Sequence, residues 1–257
     1  PVFLTKPEDW DRAYKSPFKG TEDPVFRSSY EYTKLHEELS IGLIGFLNEN
    51  KLNDVQKQLL KGKFIDLAIQ SYRMFLDQPK HIEIAMYQIL WLYIHDDLRD
   101  TKDTPFYQNS KMVQVLNNAL NDFITSSFEL REKNVNANLP DLNLMSLVSE
   151  TVIAYYNEAQ NQDNKKKIET QIHLLEKLTI QYVEVLTKAV EKKAEQEMMI
   201  NGIEAYFDAN LIEATAEESM PSLMEYEKLR SQNSACLVCF NLGRLFLLKQ
   251  LPKEYTG

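Results

Sequence analysis

A chain of 257 residues with 44% hydrophobic content is long enough to bury one large core or two small ones. Its seven glycines form no glycine-rich loop, which excludes a P-loop and a dinucleotide-binding fingerprint. A formal net charge of −9 argues against a nucleic-acid partner, but a bound cation can invert the sign of a site and so admit an anionic substrate.

Abundant Leu, Glu, Lys and Gln with sparse glycine predict helices. Residues 1–25 hold four of the nine prolines and read as an irregular leader; residues 26–257 read as one α-helical domain. Apolar residues recur at three and four over 30–50 and again over 52–77, where Asn53 or Asp54 is a plausible N-cap. A third helix runs from about His81 to the aspartates near 100, and a fourth over 110–132. A fifth is expected over 139–159, with Pro140–Asp141 as its start signal. NQDNKKK (161–167) reads as a polar hinge or loop, followed by a long helix over 168–218 that Gly202 divides. Pro221 then opens a last helix to about Gln250. No strand alternation and no internal repeat is visible, so the expected architecture is a single all-α bundle.

Cys236 and Cys239 form a lone C-x-x-C inside an apolar helical run, without the second pair that zinc requires. They read as buried core thiols of a reduced, cytoplasmic protein. No signal peptide or membrane span is visible.

The third helix reads QILWLYIHDDLRD over 88–100, an apolar run that stops at three aspartates. Carboxylates set against a hydrophobic wall are costly unless a positive charge meets them there. At helical spacing Asp96 and Asp100 share one face, with Asp97 beside Asp96. Such oxygen ligands suit magnesium, which keeps several waters and completes its shell from carboxylates and substrate phosphates. Further back the same face carries Ile89, Leu92 and Tyr93, a place for hydrocarbon below an anion. The plainer alternative is a solvated helix end in which Arg99 pairs with a neighbour for little energy. Position favours a site, because the triad caps an unusually apolar helix instead of lying on a polar face.

The D-D-L-R-D sequence resembles the aspartate-rich motif of class I terpene synthases. A second stretch agrees: IEAYFDANLIEATAEESMPSLMEYEKLRSQNSA (203–235) is similar to that family's acidic helix, proline and Tyr-x-x-x-Arg segment. The resemblance implies an antiparallel helical bundle of the class I terpenoid synthase type. It implies three Mg2+ ions held by Asp96, Asp97 and Asp100 with substrate bound, and an isoprenyl diphosphate substrate, farnesyl or geranylgeranyl diphosphate. It also implies that Arg230 senses the diphosphate, with Asn233 and Ser234 at the linker and effector positions beside it. In such a site a guanidinium grips diphosphate bidentately, the leaving group departs, and aromatic faces stabilise the allylic cation. Tyr93 is the first aromatic candidate, with Trp91 and Tyr87 behind it; for each, ordinary core packing is the alternative. Oligomeric state is open, and a homodimer is allowed.

The family's second metal motif, Asn/Asp-Asp-x-x-Ser/Thr-x-x-x-Glu, follows the sensor arginine, whereas this chain ends at LPKEYTG before such a helix. The expectation is therefore a C-terminally incomplete domain. Asn121, Thr125 and Glu129 have the motif's spacing but precede Arg230, the reverse of the family's order. They stand as a second choice of metal ligands, against a plain amphipathic helix with Asn121 and Glu129 in water.

Two rival functions remain. An HD-type metal phosphohydrolase would use His95–Asp96, with His36 or His81 as further ligands, and predicts that His95→Ala abolishes activity. A non-enzymatic scaffold or lapsed synthase would use the 168–218 helix, with KAVEKKAEQE on its polar side, and predicts no magnesium-dependent diphosphate binding.

Overall fold

The structure is a computed structural model that describes residues 30–102, 104–134, 136–148, 162–215, 222, 224, 227 and 235–250. The leader expected over 1–25 lies outside them. The described residues are all-α, with no strand. The helices are α1 (Tyr30–Glu49), α2 (Asn53–Lys61), α3 (Phe64–Ser71), α4 (Pro79–Asp100), α5 (Ser110–Lys133), α6 (Gln162–Ala189), α7 (Lys193–Thr215) and α8 (Cys236–Gln250), with a 3-10 turn at Arg73–Phe75.

The central element is α4. Pro79 sits in its first turn, where the missing N–H costs nothing. Buried residues then run along it from Ile82 to Arg99 on every side, the pattern of a helix enclosed by others. It packs against α3, α6 and α8, while α5 and α8 pack against α7. Trp91 is fully buried at the crossing with α6, where its indole N–H donates to Thr179 Oγ1 at 3.0 Å and its ring stacks on Tyr182 at 5.5 Å. One turn earlier on α4, Gln88 Nε2 donates to the Val238 carbonyl of α8 at 3.1 Å.

Several predicted boundaries are corrected. The single helix expected over 52–77 is broken after Lys61, because the Phe64 ring lies over Gly62, where a Cβ would stand 2.2 Å from a ring carbon, and Lys63 takes φ 56°. The break turns Phe64 onto Tyr93 of α4, with ring centroids 4.6 Å apart. The expected loop at 161–167 is helical from Gln162; lysine and glutamine are good helix formers, and Lys165 meets Glu169 one turn on at 3.9 Å. The long helix divides at 190–192, not at Gly202, because Glu195 turns back to accept the backbone N–H groups of Glu191 (2.9 Å) and Lys192 (3.2 Å). The helix expected from Pro140 begins instead at 144, after Asn143, whose Oδ1 accepts the Ser146 N–H at 2.9 Å; residues 149–161 lie outside the described set. The expected last helix is described from Cys236 onward.

The cysteines also differ from expectation. Cys236 is exposed, Cys239 is half-buried, and neither is in a disulfide. The buried side of α8 is made by Val238, Leu242, Leu245 and Phe246, a register that leaves Cys236 outside.

Gly202 has a packing role inside α7. A Cβ there would meet Asn241 Nδ2 at 2.6 Å and the Val238 Cα at 3.6 Å, and that same amide donates to the Met198 carbonyl at 2.7 Å. For Gly202→Ala, a propensity gain of about 1 kcal/mol opposes a hydrogen bond worth about 1 kcal/mol, so stability should stay within about 0.5 kcal/mol of wild type. Gly202→Val should lose about 1–3 kcal/mol, since its extra methyls press on the α8 backbone. Urea denaturation of both variants checks the pair; equal stability of the two would show that α8 yields freely.

Candidate functional site

The face of α4 carrying the aspartates opens onto a cavity of about 280 Å3. From α4 the cavity takes Ile89, Leu92, Tyr93, Asp96 and Asp100, one face by helical spacing. Leu67 of α3 and Cys239 of α8 add to its lining, and α7 contributes Tyr206 and Glu213, seven residues and so two turns apart. The side chains grade from apolar to acidic along α4: Leu92 is 9% exposed, whereas the Asp96 and Asp100 side chains are 50% and 67% exposed.

The three aspartates do not share one environment. Asp96 and Asp100 line the cavity, whereas Asp97 accepts a 2.7 Å hydrogen bond from Gln171 Nε2 of α6. Burial and the Asp96 charge push Asp97 above the usual carboxylate range, with Lys167 and the Gln171 amide pulling it back. Asp100 is pushed up to about 6 by desolvation and by the Asp96, Glu213 and Asp97 carboxylates, with Arg99 opposing them. For a side chain that open to solvent, the carboxylate neighbours are the part of that cause on which a cation would act.

Arg99 is the buried counter-charge, its side chain only 5% exposed. Nη2 holds Asp96 Oδ1 at 2.5 Å and stands 4.0 Å from Asp100, while Nη1 is 3.5 Å from Glu213 of α7. Among the described residues Asp96, Asp97, Asp100 and Glu213 thus face Arg99 and Lys167, a surplus of negative charge that suits a divalent cation. Among those residues no three of His, Cys, Asp and Glu are grouped closely enough to hold a metal ion by themselves. Asp96 and Asp100 offer one or two carboxylates, the share that a cation completing its shell from water and phosphate needs from a protein.

Beneath the aspartates His95, Asn117 and Tyr206 form a chain of hydrogen bonds. Asn117 of α5 donates through Nδ2 to the Phe207 carbonyl at 3.2 Å, which turns its Oδ1 to His95 Nε2 at 2.9 Å. Nε2 therefore carries the imidazole proton, and Nδ1 accepts from the Tyr206 hydroxyl at 3.0 Å. Complete burial and the nearby Arg99 charge pull His95 down to about 3, so it is neutral. Both ring nitrogens are spent on protein groups, which removes His95 as a metal ligand and with it the phosphohydrolase reading. His36 lies by Asp66, and His81 stacks on Phe246 at 4.2 Å, in other parts of the bundle.

The second-choice ligands on α5 do not line this cavity. Asn121 reaches Glu204 of α7 at 3.4 Å and Glu129 is exposed, with Thr125 half-buried between them. Of the aromatic candidates Tyr93 lines the cavity, while Trp91 and Tyr87 are core residues, Tyr87 edge-on to Phe46 at 5.7 Å. Tyr206 and Glu213 were not among the expected site residues, although both lie in the 203–235 stretch at two-turn spacing. Arg230, Asn233 and Ser234 lie outside the described residues.

The apolar-to-acidic cavity and the two sequence stretches agree with a comparison to known families. Residues 87–256 match the model described as terpene synthase family 2, C-terminal metal binding. No curated protein and no solved structure matches the chain. The matched segment covers most of the chain, from the middle of α4 through α8, and on that basis the protein belongs to terpene synthase family 2.

Proposed function

We propose that this chain ionises an isoprenyl diphosphate and cyclises the resulting allylic cation to a terpene, releasing diphosphate. The observation that carries this reading is the gradient along one face of α4, from Ile89, Leu92 and Tyr93 to Asp96 and Asp100, inside a single cavity. Asp96 and Asp100, with Asp97 behind them, would hold Mg2+, which supplies charge neutralisation for the departing diphosphate. Arg230, with Asn233 and Ser234, is assigned from the family resemblance as the arm that grips the diphosphate bidentately. Leu67, Ile89 and Leu92 keep water from the hydrocarbon, and the faces of Tyr93 and Tyr206 attract positive charge.

The test is incubation of the purified protein with farnesyl and geranylgeranyl diphosphates, with and without Mg2+, followed by gas chromatography and mass spectrometry. A magnesium-dependent cyclic hydrocarbon, lost in Asp96→Ala, is the expected result. Substrate recovered intact under every condition, with the chain also assayed in extended form, would overturn the proposal.

A further inference from the structure

Arg99 presents a problem for any cation that comes to Asp96. Its guanidinium already holds that carboxylate at 2.5 Å, from a position only 5% exposed. A buried guanidinium cannot be left without a partner at low cost, so a metal that takes Asp96 must also leave Arg99 somewhere to go. The bundle provides that place. Nη1 of the same guanidinium stands 3.5 Å from Glu213 Oε2 on α7, so a small swing exchanges one carboxylate for the other. Glu213 and Asp96 both line the cavity, and the Glu213 side chain is 42% exposed, so it is free to close on Arg99.

We propose that Arg99 is the resting counter-ion of the aspartate cluster, and that metal binding transfers it from Asp96 to Glu213. The inference rests on the metal-binding reading of this site and concerns how that site is regulated. Arg99 competes with the metal for Asp96, which weakens metal binding. Glu213 is a positioning residue that acts through Arg99, and its pairing draws the end of α7 toward α4.

Binding of Mn2+ in the presence of inorganic diphosphate, followed by the electron paramagnetic resonance signal of free Mn2+, tests this without reference to turnover. Arg99→Met removes the competitor and should tighten Mn2+ binding by about tenfold. Glu213→Gln removes the acceptor and should weaken it by a similar factor, but should have no effect in the Arg99→Met background. Weaker binding in Arg99→Met would overturn the proposal and make Arg99 a structural strut. A Glu213→Gln effect that persists without Arg99 would overturn it in favour of Glu213 as a direct ligand. If Arg99→Met does not fold, Arg99→Lys should show part of the tightening, since one ammonium cannot span both carboxylates. A wild-type crystal grown with Mg2+ and diphosphate should show Arg99 on Glu213; metal bound with Arg99 still on Asp96 would refute the exchange alone. A wild-type chain that binds no Mn2+ would remove the metal reading itself, and the exchange with it.

Discussion

Replacing Asp100 with asparagine is expected to lower magnesium-dependent turnover by about 10²–10³-fold while raising the melting temperature at pH 7 by roughly a degree or two. The two effects have one cause. In the fold Asp100 titrates at about 6, above its ordinary 3.8, because desolvation and the carboxylates of Asp96, Glu213 and Asp97 disfavour its charge. A group raised in the folded state contributes stability that is fully present below 3.8 and is lost as the pH rises through 6. At pH 7 the ionised carboxylate therefore burdens the fold, and a neutral amide of the same shape removes that burden. Its side chain is 67% exposed, and solvent screening keeps the gain small. Below pH 4 the gain should vanish, because both forms are then neutral. Saturating Mg2+ with diphosphate should reverse the order, stabilising the wild type more than the variant, since only the wild type offers the charged oxygen. Thermal scans at pH 4 and pH 7, run beside the product assay, check all three statements. A lower melting temperature at pH 7 would instead make Asp100 a supporting partner of Arg99, 4.0 Å away.

Such an arrangement is legible from one helix alone only in part. The spacing along 88–100 is enough to place Ile89, Leu92, Tyr93, Asp96 and Asp100 on one face, because that face depends only on the period of α4. What lies opposite depends on packing between helices, and so Tyr206 and Glu213 of α7 could not be selected by their own spacing. The same limit explains Arg99. The sequence offers it a pairing only under the plainer alternative of a solvated helix end, as a contact of little energy; burial beside α7 makes it the central charge of the cluster instead. Asp97 is a second case: the period of α4 turns it off that face, but its partner Gln171 is set by where α6 packs.

Element boundaries follow the same division. The ends of α4 and α5 are set locally, by Pro79 and by Asn109, whose Oδ1 accepts the Met112 N–H at 3.2 Å, and both helices fall within a few residues of expectation. The break after Lys61 is set by where the Phe64 ring goes, and that ring is held by Tyr93 from another helix. Gly202 shows the converse: a residue read as a helix breaker is kept for the close approach of α8.

Truncating Trp91 to alanine should cost about 3–5 kcal/mol, lowering the melting temperature by roughly 6–20 °C. The side chain is fully buried between α4, α6 and α7, stacked on Tyr182 and edge-on to Phe207 at 5.9 Å. Trp91→Phe separates the two parts of that cost. It keeps most of the ring packing and loses the indole N–H bond to Thr179, whose hydroxyl still donates to the Leu175 carbonyl at 2.7 Å. No buried donor is stranded, so the phenylalanine variant should lose only about 1–2 kcal/mol. Urea midpoints for the two variants decide whether packing or hydrogen bonding contributes more; equal losses would mean that the core closes over the missing ring. The change also reaches the site. Trp91 lies 6.3 Å from Tyr206 and 6.2 Å from His95, centroid to centroid, so its removal takes away support behind an aromatic face of the cavity. At temperatures where Trp91→Ala remains folded, its product mixture should therefore broaden, whereas that of Trp91→Phe should match wild type.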